Sequence, residues 1–224
     1  VSDAAQVDGF GWRDVDTIIN ASAYTAVDAA ETEQGRRDCW RANVTGVANL
    51  CQVARVHRLT LVHISSDYVF DGTAELHTED EPFSPLGVYG QTKAAADVLV
   101  GQLGAHYLIR TSWVIGQGRN FVATMADLAA KGISPSVVDD QFGRLTFTAD
   151  LAAGIVHLLH SGAGYGTYNL SSDGPVASWR EVAAAVFELC GRDPGDVAGQ
   201  STADYAAGKL TSPRPRHSSL DLTK

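Results

Sequence analysis

Positive charge is scarce in this chain: 17 lysines and arginines stand against 26 acidic residues among 224, a net charge of −9. Such a balance argues against a nucleic-acid or anionic-membrane surface, so an anionic ligand would need arginines gathered locally. Cysteine is sparse as well. Cys39, Cys51 and Cys190 are odd in number and lack metal-type spacing, which excludes a disulfide framework and leaves no metal ligands to assign. They read as reduced, semi-buried residues of a cytoplasmic protein. No apolar run is long enough to cross a bilayer, no signal-peptide pattern opens the chain, and neither an internal repeat nor a low-complexity linker interrupts it. With 45% apolar residues the chain can bury a core as one domain, or as a domain with a smaller lobe.

What is present is an alternation of strand-like and helix-like segments, the pattern of an α/β fold with a mostly parallel sheet and helices on its faces. Thr17 to Ala21, Leu61 to Ile64 and Tyr107 to Thr111 read as buried strands, and Ser136 to Val138 as a short one. Asp38 to His57 carries Val44, Val47, Ala48, Cys51 and Ala54 at helical spacing, and a polar loop follows from Asp71 to Pro85. Phe121 to Lys131 and Asp150 to His160 read as helices, and Ser178-Trp179-Arg180-Glu181 has capping-box spacing ahead of Val182, Val186 and Leu189.

The chemistry centres on Tyr89-Gly90-Gln91-Thr92-Lys93. A tyrosine and a lysine four apart share one face of a helix, so the ammonium is expected beside the phenol. A cation there favours the phenolate, and lowering a phenol from about 10 by two to three units is worth roughly 3–4 kcal/mol. That brings the group toward working pH, where it passes protons efficiently. Upstream, Ser65-Ser66 falls where the strand Leu61 to Ile64 ends and opens onto a crevice, and Ala21-Ser22-Ala23 follows the first strand with side chains small enough for a ligand to approach the backbone.

Three segments together, Ser65 to Gly72, Tyr89 to Lys93 and Arg110-Thr111-Ser112-Trp113-Val114, resemble the dTDP-4-dehydrorhamnose reductase family of the extended short-chain dehydrogenase/reductase superfamily, from about Asp16 to the end of the chain. The resemblance implies a Rossmann-type doubly wound parallel sheet with a small C-terminal substrate-binding lobe, divided into a dinucleotide-binding core over 1–112 and a lobe over 113–224 with some returns to the core. It implies reduction of a nucleotide-sugar ketone in dTDP-rhamnose biosynthesis, with NADPH or NADH as hydride donor. Ser66 would hold the keto oxygen, Tyr89 would donate the proton, and Lys93 would bind the nicotinamide ribose and tune Tyr89. Ala23, Tyr24, Thr25 and Ile64 would line the cofactor, and Asp67 and Trp113 would contact the substrate.

Other readings stay open on the residues alone. Trp113 could be a core aromatic, and Asn43 either orders the active-site helix, as in the superfamily, or is a polar helix residue. Asn120, with Arg119, could bind a nucleotide diphosphate at a helix start or simply cap that helix. Arg144 could be a surface charge. A complete dinucleotide fold opens with a strand, a glycine-rich turn and a helix. The sequence does not show that unit, so on the order of 40 residues carrying it are expected ahead of Val1 in the intact molecule, in preference to a fragment or a part of a fusion. With that turn unread, the choice between NAD and NADP is undecided, and no signature decides a Mg2+ dependence. Expected partners are a small-molecule nucleotide sugar, with a homodimer or a fusion to another rhamnose-pathway enzyme as the candidate assemblies. A different nucleotide-sugar reductase or epimerase is an alternative, as is a non-catalytic subunit resembling the methionine adenosyltransferase β subunit, which shares a similar Tyr-Gly-Lys-Thr-Lys pattern.

Overall fold

Period-two alternation along the central strands determines which side of the sheet each helix covers. In a computed structural model describing residues 1–224, Leu61 and Leu108 face one side, where they join Val47, Leu50, Val53, Ala96 and Val100 in the largest core cluster. Their strand neighbours Val62, Tyr107 and Ile109 face the other side and pack on Leu151 and Ile155. Apolar residues on both faces explain the short continuous hydrophobic runs, as expected for a parallel sheet covered on both sides.

The chain opens with α1 (Ala4–Asp8), β1 (Thr17–Asn20), α2 (Glu33–Trp40), α3 (Gly46–His57) and β2 (Thr60–Ile64). It continues with α4 (Val88–Val100), β3 (His106–Arg110), β4 (Val114–Ile115), α5 (Phe121–Ala130), β5 (Ser136–Val138), β6 (Phe142–Gly143) and β7 (Thr146–Phe147). Then come α6 (Thr148–Ser161), β8 (Gly166–Asn169), β9 (Ala177–Ser178), α7 (Trp179–Leu189), β10 (Ala198–Gln200) and α8 (Thr202–Ala206). The main sheet has four parallel strands in the order β1-β2-β3-β8. A second, smaller core joins α5, β5 and α7 through Met125, Ala129, Val137, Ala183, Val186 and Phe187.

The first long helical stretch differs from the sequence expectation in where it starts and in its middle. Helix begins at Glu33 rather than Asp38, with the Thr32 hydroxyl accepting from Gly35 N. Between α2 and α3 the chain stays helical through a π-turn over Arg41–Thr45, an insertion that often marks a functional site. It carries Asn43 inward. The Asn43 amide accepts from Tyr24 N (2.7 Å) and donates to Tyr24 O (3.2 Å) and Thr92 Oγ1 (3.0 Å), tying the end of β1 to α4. The capping box at Ser178 and Glu181 forms as its spacing predicts. Strand β8 was not expected, because Gly-Thr-Tyr-Asn offers no apolar run; it adds to β3 from the half of the chain beyond Trp113.

Candidate active site

Helix α4 has no side-chain cap of its own; Val88 N instead donates to the Glu31 carboxylate at 2.9 Å. Gly90 sits where α4 crosses the Asp67–Val69 turn, and a Cβ there would lie 2.2 Å from the Tyr68 carbonyl oxygen. That close approach brings the Tyr89 face of α4 against the end of β2. Ser65 N donates to Ile109 O (2.6 Å) and Asp67 N to Thr111 O (3.0 Å), so strand-like pairing continues past β2 and fixes the Ser66-Asp67 backbone. Ser66, Tyr89 and Lys93 all line one cleft of about 890 Å³ at the C-terminal ends of β1, β2 and β3, where ligands bind in open α/β sheets.

The charges differ from the local helical expectation. Lys93, almost fully buried, donates to Ile64 O at 2.7 Å, and its ammonium is pushed down to about 8 by burial, opposed by the Asp97 carboxylate and by Cys39. Tyr89 moves upward rather than down. Burial raises its phenol most, the Asp67 carboxylate raises it further, and the nearby Ser66 hydroxyl opposes both. Lys93 is directed at the Ile64 carbonyl, so the predicted lowering of Tyr89 by its cation is not found. Tyr68, edge-on to Tyr89 at 5.6 Å between ring centroids, is likewise pushed up to about 12 by burial and Asp67. Asp67 is itself raised to about 6 by burial, against hydrogen bonding from Ser218 and Ser66. Tyr89 therefore rests as a neutral phenol at neutral pH.

The other predicted residues divide. Ala23, Thr25, Ile64, Asp67 and Trp113 line the cleft. Tyr24 does not; it packs against the cluster of Ala30, Cys39 and Val88, its backbone held by Asn43. Asn120 also lies outside the lining. Its Oδ1 accepts from Ala123 N (2.9 Å) and its Nδ2 donates to Gly116 O (2.7 Å) and Gly118 O (3.0 Å), so both ends of the amide serve the cap of α5. Arg144 donates to Leu220 O at 3.3 Å, again outside the cleft.

Trp113 holds a left-handed backbone, φ +45°, uncommon for a bulky residue. Its ring lies flat on Trp179, 3.6 Å between centroids and 11° between planes, and a Cβ on Gly143 would come within 2.6 Å of it. Sequence reasoning missed Trp179, Tyr68, Thr148 and Ser218. Only the capping box drew attention to Trp179, and it concerned the backbone.

The cleft fits the nicotinamide and ribose end of a dinucleotide. Exposed backbone at Ala21 to Ala23 and the Lys93 cation are available there, while no glycine is among the lining residues to cradle a pyrophosphate.

Comparison with known proteins agrees with this architecture. The chain is 38% identical over 208 residues to a dTDP-4-keto-6-deoxy-D-glucose reductase of Streptomyces niveus, covering 91% of this chain and 70% of that protein. It is 37% identical over 220 residues to the dTDP-4-dehydrorhamnose reductase of Aggregatibacter actinomycetemcomitans, covering 92% and 73%. The crystal structure of dTDP-4-dehydrorhamnose reductase from Bacillus anthracis in complex with NADP superposes with a TM-score of 0.89 at 34% identity, over 99% of this chain and 78% of that one. The family model described as RmlD substrate binding domain matches residues 1–224, and the chain belongs to that family.

Proposed function

We propose that this chain carries the ketone-reducing site of an NAD(P)H-dependent oxidoreductase that converts dTDP-4-dehydro-L-rhamnose to dTDP-L-rhamnose. The observation that carries the reading is the convergence of Ser66, Tyr89 and Lys93 on one cleft at the ends of parallel strands. A bound nicotinamide supplies the hydride. Tyr89, kept neutral by burial and by Asp67, supplies the proton to the carbonyl oxygen, and Ser66 donates a hydrogen bond to the same oxygen as charge builds on it. Lys93, held by the Ile64 carbonyl at the edge of the cleft, binds the nicotinamide ribose. Trp113 and Trp179 supply an apolar wall for the sugar.

The dTDP-4-keto-6-deoxy-D-glucose reductase among the relatives favours a second reading in which the same chemistry acts on that epimer. Oxidation of NADPH or NADH is to be followed with each sugar against a no-sugar control. Turnover on the rhamnose precursor supports the first reading and turnover on the glucose-derived sugar alone the second. Silence with both, despite nucleotide binding, removes the reductase role. Tyr89→Phe is expected to lower turnover by about 10²–10⁴-fold with the fold intact; near-normal rates would remove Tyr89 as the acid. The cytoplasmic reading is supported by three free thiols, two of them buried. Light scattering tests the homodimer, and mass spectrometry of the protein from its source tests the fusion.

A further inference from the structure

Behind Lys93 lies a chain of polar groups that the reaction as drawn does not use. Ser22 N and Ser22 Oγ both contact Asn20 Oδ1, at 3.1 and 2.7 Å, and Asn20 Nδ2 contacts His63 Nδ1 at 2.9 Å. On its other side, His63 Nε2 lies 3.5 Å from Lys93 Nζ. Asn20 and His63 are both buried, His63 almost completely.

A backbone N–H can only donate, so Ser22 N fixes the Asn20 oxygen toward itself and the Asn20 NH2 toward His63. His63 Nδ1 must then accept, which leaves the ring proton on Nε2. The reverse arrangement would set two donors against each other at 2.9 Å, a worse conflict than any at 3.5 Å. A doubly protonated ring would meet the same conflict. Burial and the Lys93 charge also hold His63 well below the ordinary histidine range.

We propose that His63 is a positioning residue for the reduction: fixed by Asn20 and Ser22 as the Nε2–H tautomer, it points a donor at Lys93 Nζ, disfavours the ammonium and stabilises the neutral amine. A neutral amine has a lone pair that can accept that N–H, whereas an ammonium has none. The other titratable groups around Lys93 are Asp97 and Tyr89 on its own helix α4 and Cys39 on α2; Asp97 and Cys39 act in the opposite sense, favouring the charge. His63 thus works with burial to keep Lys93 able to exchange a proton near neutral pH, where a surface lysine would stay charged.

The inference rests on the proposed reductase reading, but its test reads Lys93 without turnover. The chain has four lysines, so carbon-13 at the lysine ε position resolves Lys93, assigned with Lys93→Met. Nitrogen-15 labelling of histidine reports the His63 tautomer. In the unaltered protein Nδ1 is expected to be bare and Nε2 protonated, with Lys93 titrating near 8. His63→Asn keeps an acceptor for Asn20 but removes the Nε2–H, and Lys93 is expected to bind its proton at least about threefold more tightly, half a pKa unit. Asn20→Asp opens no cavity and is expected to reverse the tautomer, read from the histidine nitrogens; because its carboxylate by itself favours the Lys93 ammonium, a Lys93 shift in this variant is not counted as support. A protonated Nδ1 in the unaltered protein overturns the proposal, and so does a Lys93 titration unmoved in whichever variant folds. If Lys93 moves while the alkaline limb of the kcat profile stays in place, the reductase role assigned to Lys93 fails and with it the positioning role of His63 in the reduction, while the hold of His63 on the Lys93 proton stands.

Discussion

Asp67→Asn is expected to stabilise the protein at neutral pH while impairing its reaction. Burial lifts the Asp67 carboxyl from 3.8 to about 6, with Ser218, Ser66, its own backbone N–H and His77 opposing the rise. Because the folded-state value lies above the unfolded one, the folded chain holds this proton more tightly. The stability the proton confers is complete below about pH 4 and is lost as the pH climbs through about 6. A shift of about two units is worth about 3 kcal/mol, of which about 2 kcal/mol is lost between about pH 4.5 and about pH 7.5. Asparagine never ionises and escapes that loss. Any hydrogen bond it makes less well with Ser66 or Ser218 costs the same at both pH values and cancels in the comparison. Urea unfolding of both proteins at the two pH values is therefore the assay, read as the change in their stability difference. The difference should shift by about 2 kcal/mol in favour of the variant at the higher pH. No pH-dependent change would mean that Asp67 is hydrated or paired in solution, and the burial assigned to its carboxyl would be wrong.

Gly90→Ala sets a methyl 2.2 Å from the Tyr68 carbonyl oxygen, so α4 must move; about 1–3 kcal/mol of stability should be lost in urea unfolding, with a fall in turnover beyond what unfolding explains. Leu108→Ala empties a site between β3 and the α3–α4 layer and should cost about 2–5 kcal/mol, with turnover retained by the folded fraction. Asn43→Ala leaves Tyr24 N without its 2.7 Å acceptor and should cost about 1–3 kcal/mol; thermal melting checks it, and an unchanged melting temperature would mean that water replaces the amide.

The parts legible in the sequence were those whose cause is local. Strands β1, β2 and β3 announce themselves because burial on both faces demands consecutive apolar residues, and Ser178 announces α7 because a cap is a four-residue device. Strand β8 has half-buried residues and borrows its regularity from β3, so nothing in Gly-Thr-Tyr-Asn betrays it. The same division runs through the site. Tyr89 and Lys93 were found because one helical turn joins them, and Ser66 because a strand ends there. His63 meets Lys93 across the β2–α4 contact, Ser218 arrives on the C-terminal segment, and Trp179 arrives at the start of α7 by stacking on Trp113. His77, in a loop that reads as polar, is wholly buried, its Nδ1 hydrogen-bonded to the Glu81 carboxylate and its ring stacked on Phe70.

The direction of the Tyr89 shift shows what local reading omits. The helix alone puts a cation one turn away and argues for an acidic phenol. The folded chain sends that cation to the Ile64 carbonyl and sets the Asp67 charge near Tyr89. For a ketone reductase this arrangement is the more useful one, since a donor must carry its proton before the hydride arrives. An acidic phenol would begin the cycle already spent. In the proposed reaction the phenolate is costly in this buried site, which favours reprotonation after each turnover.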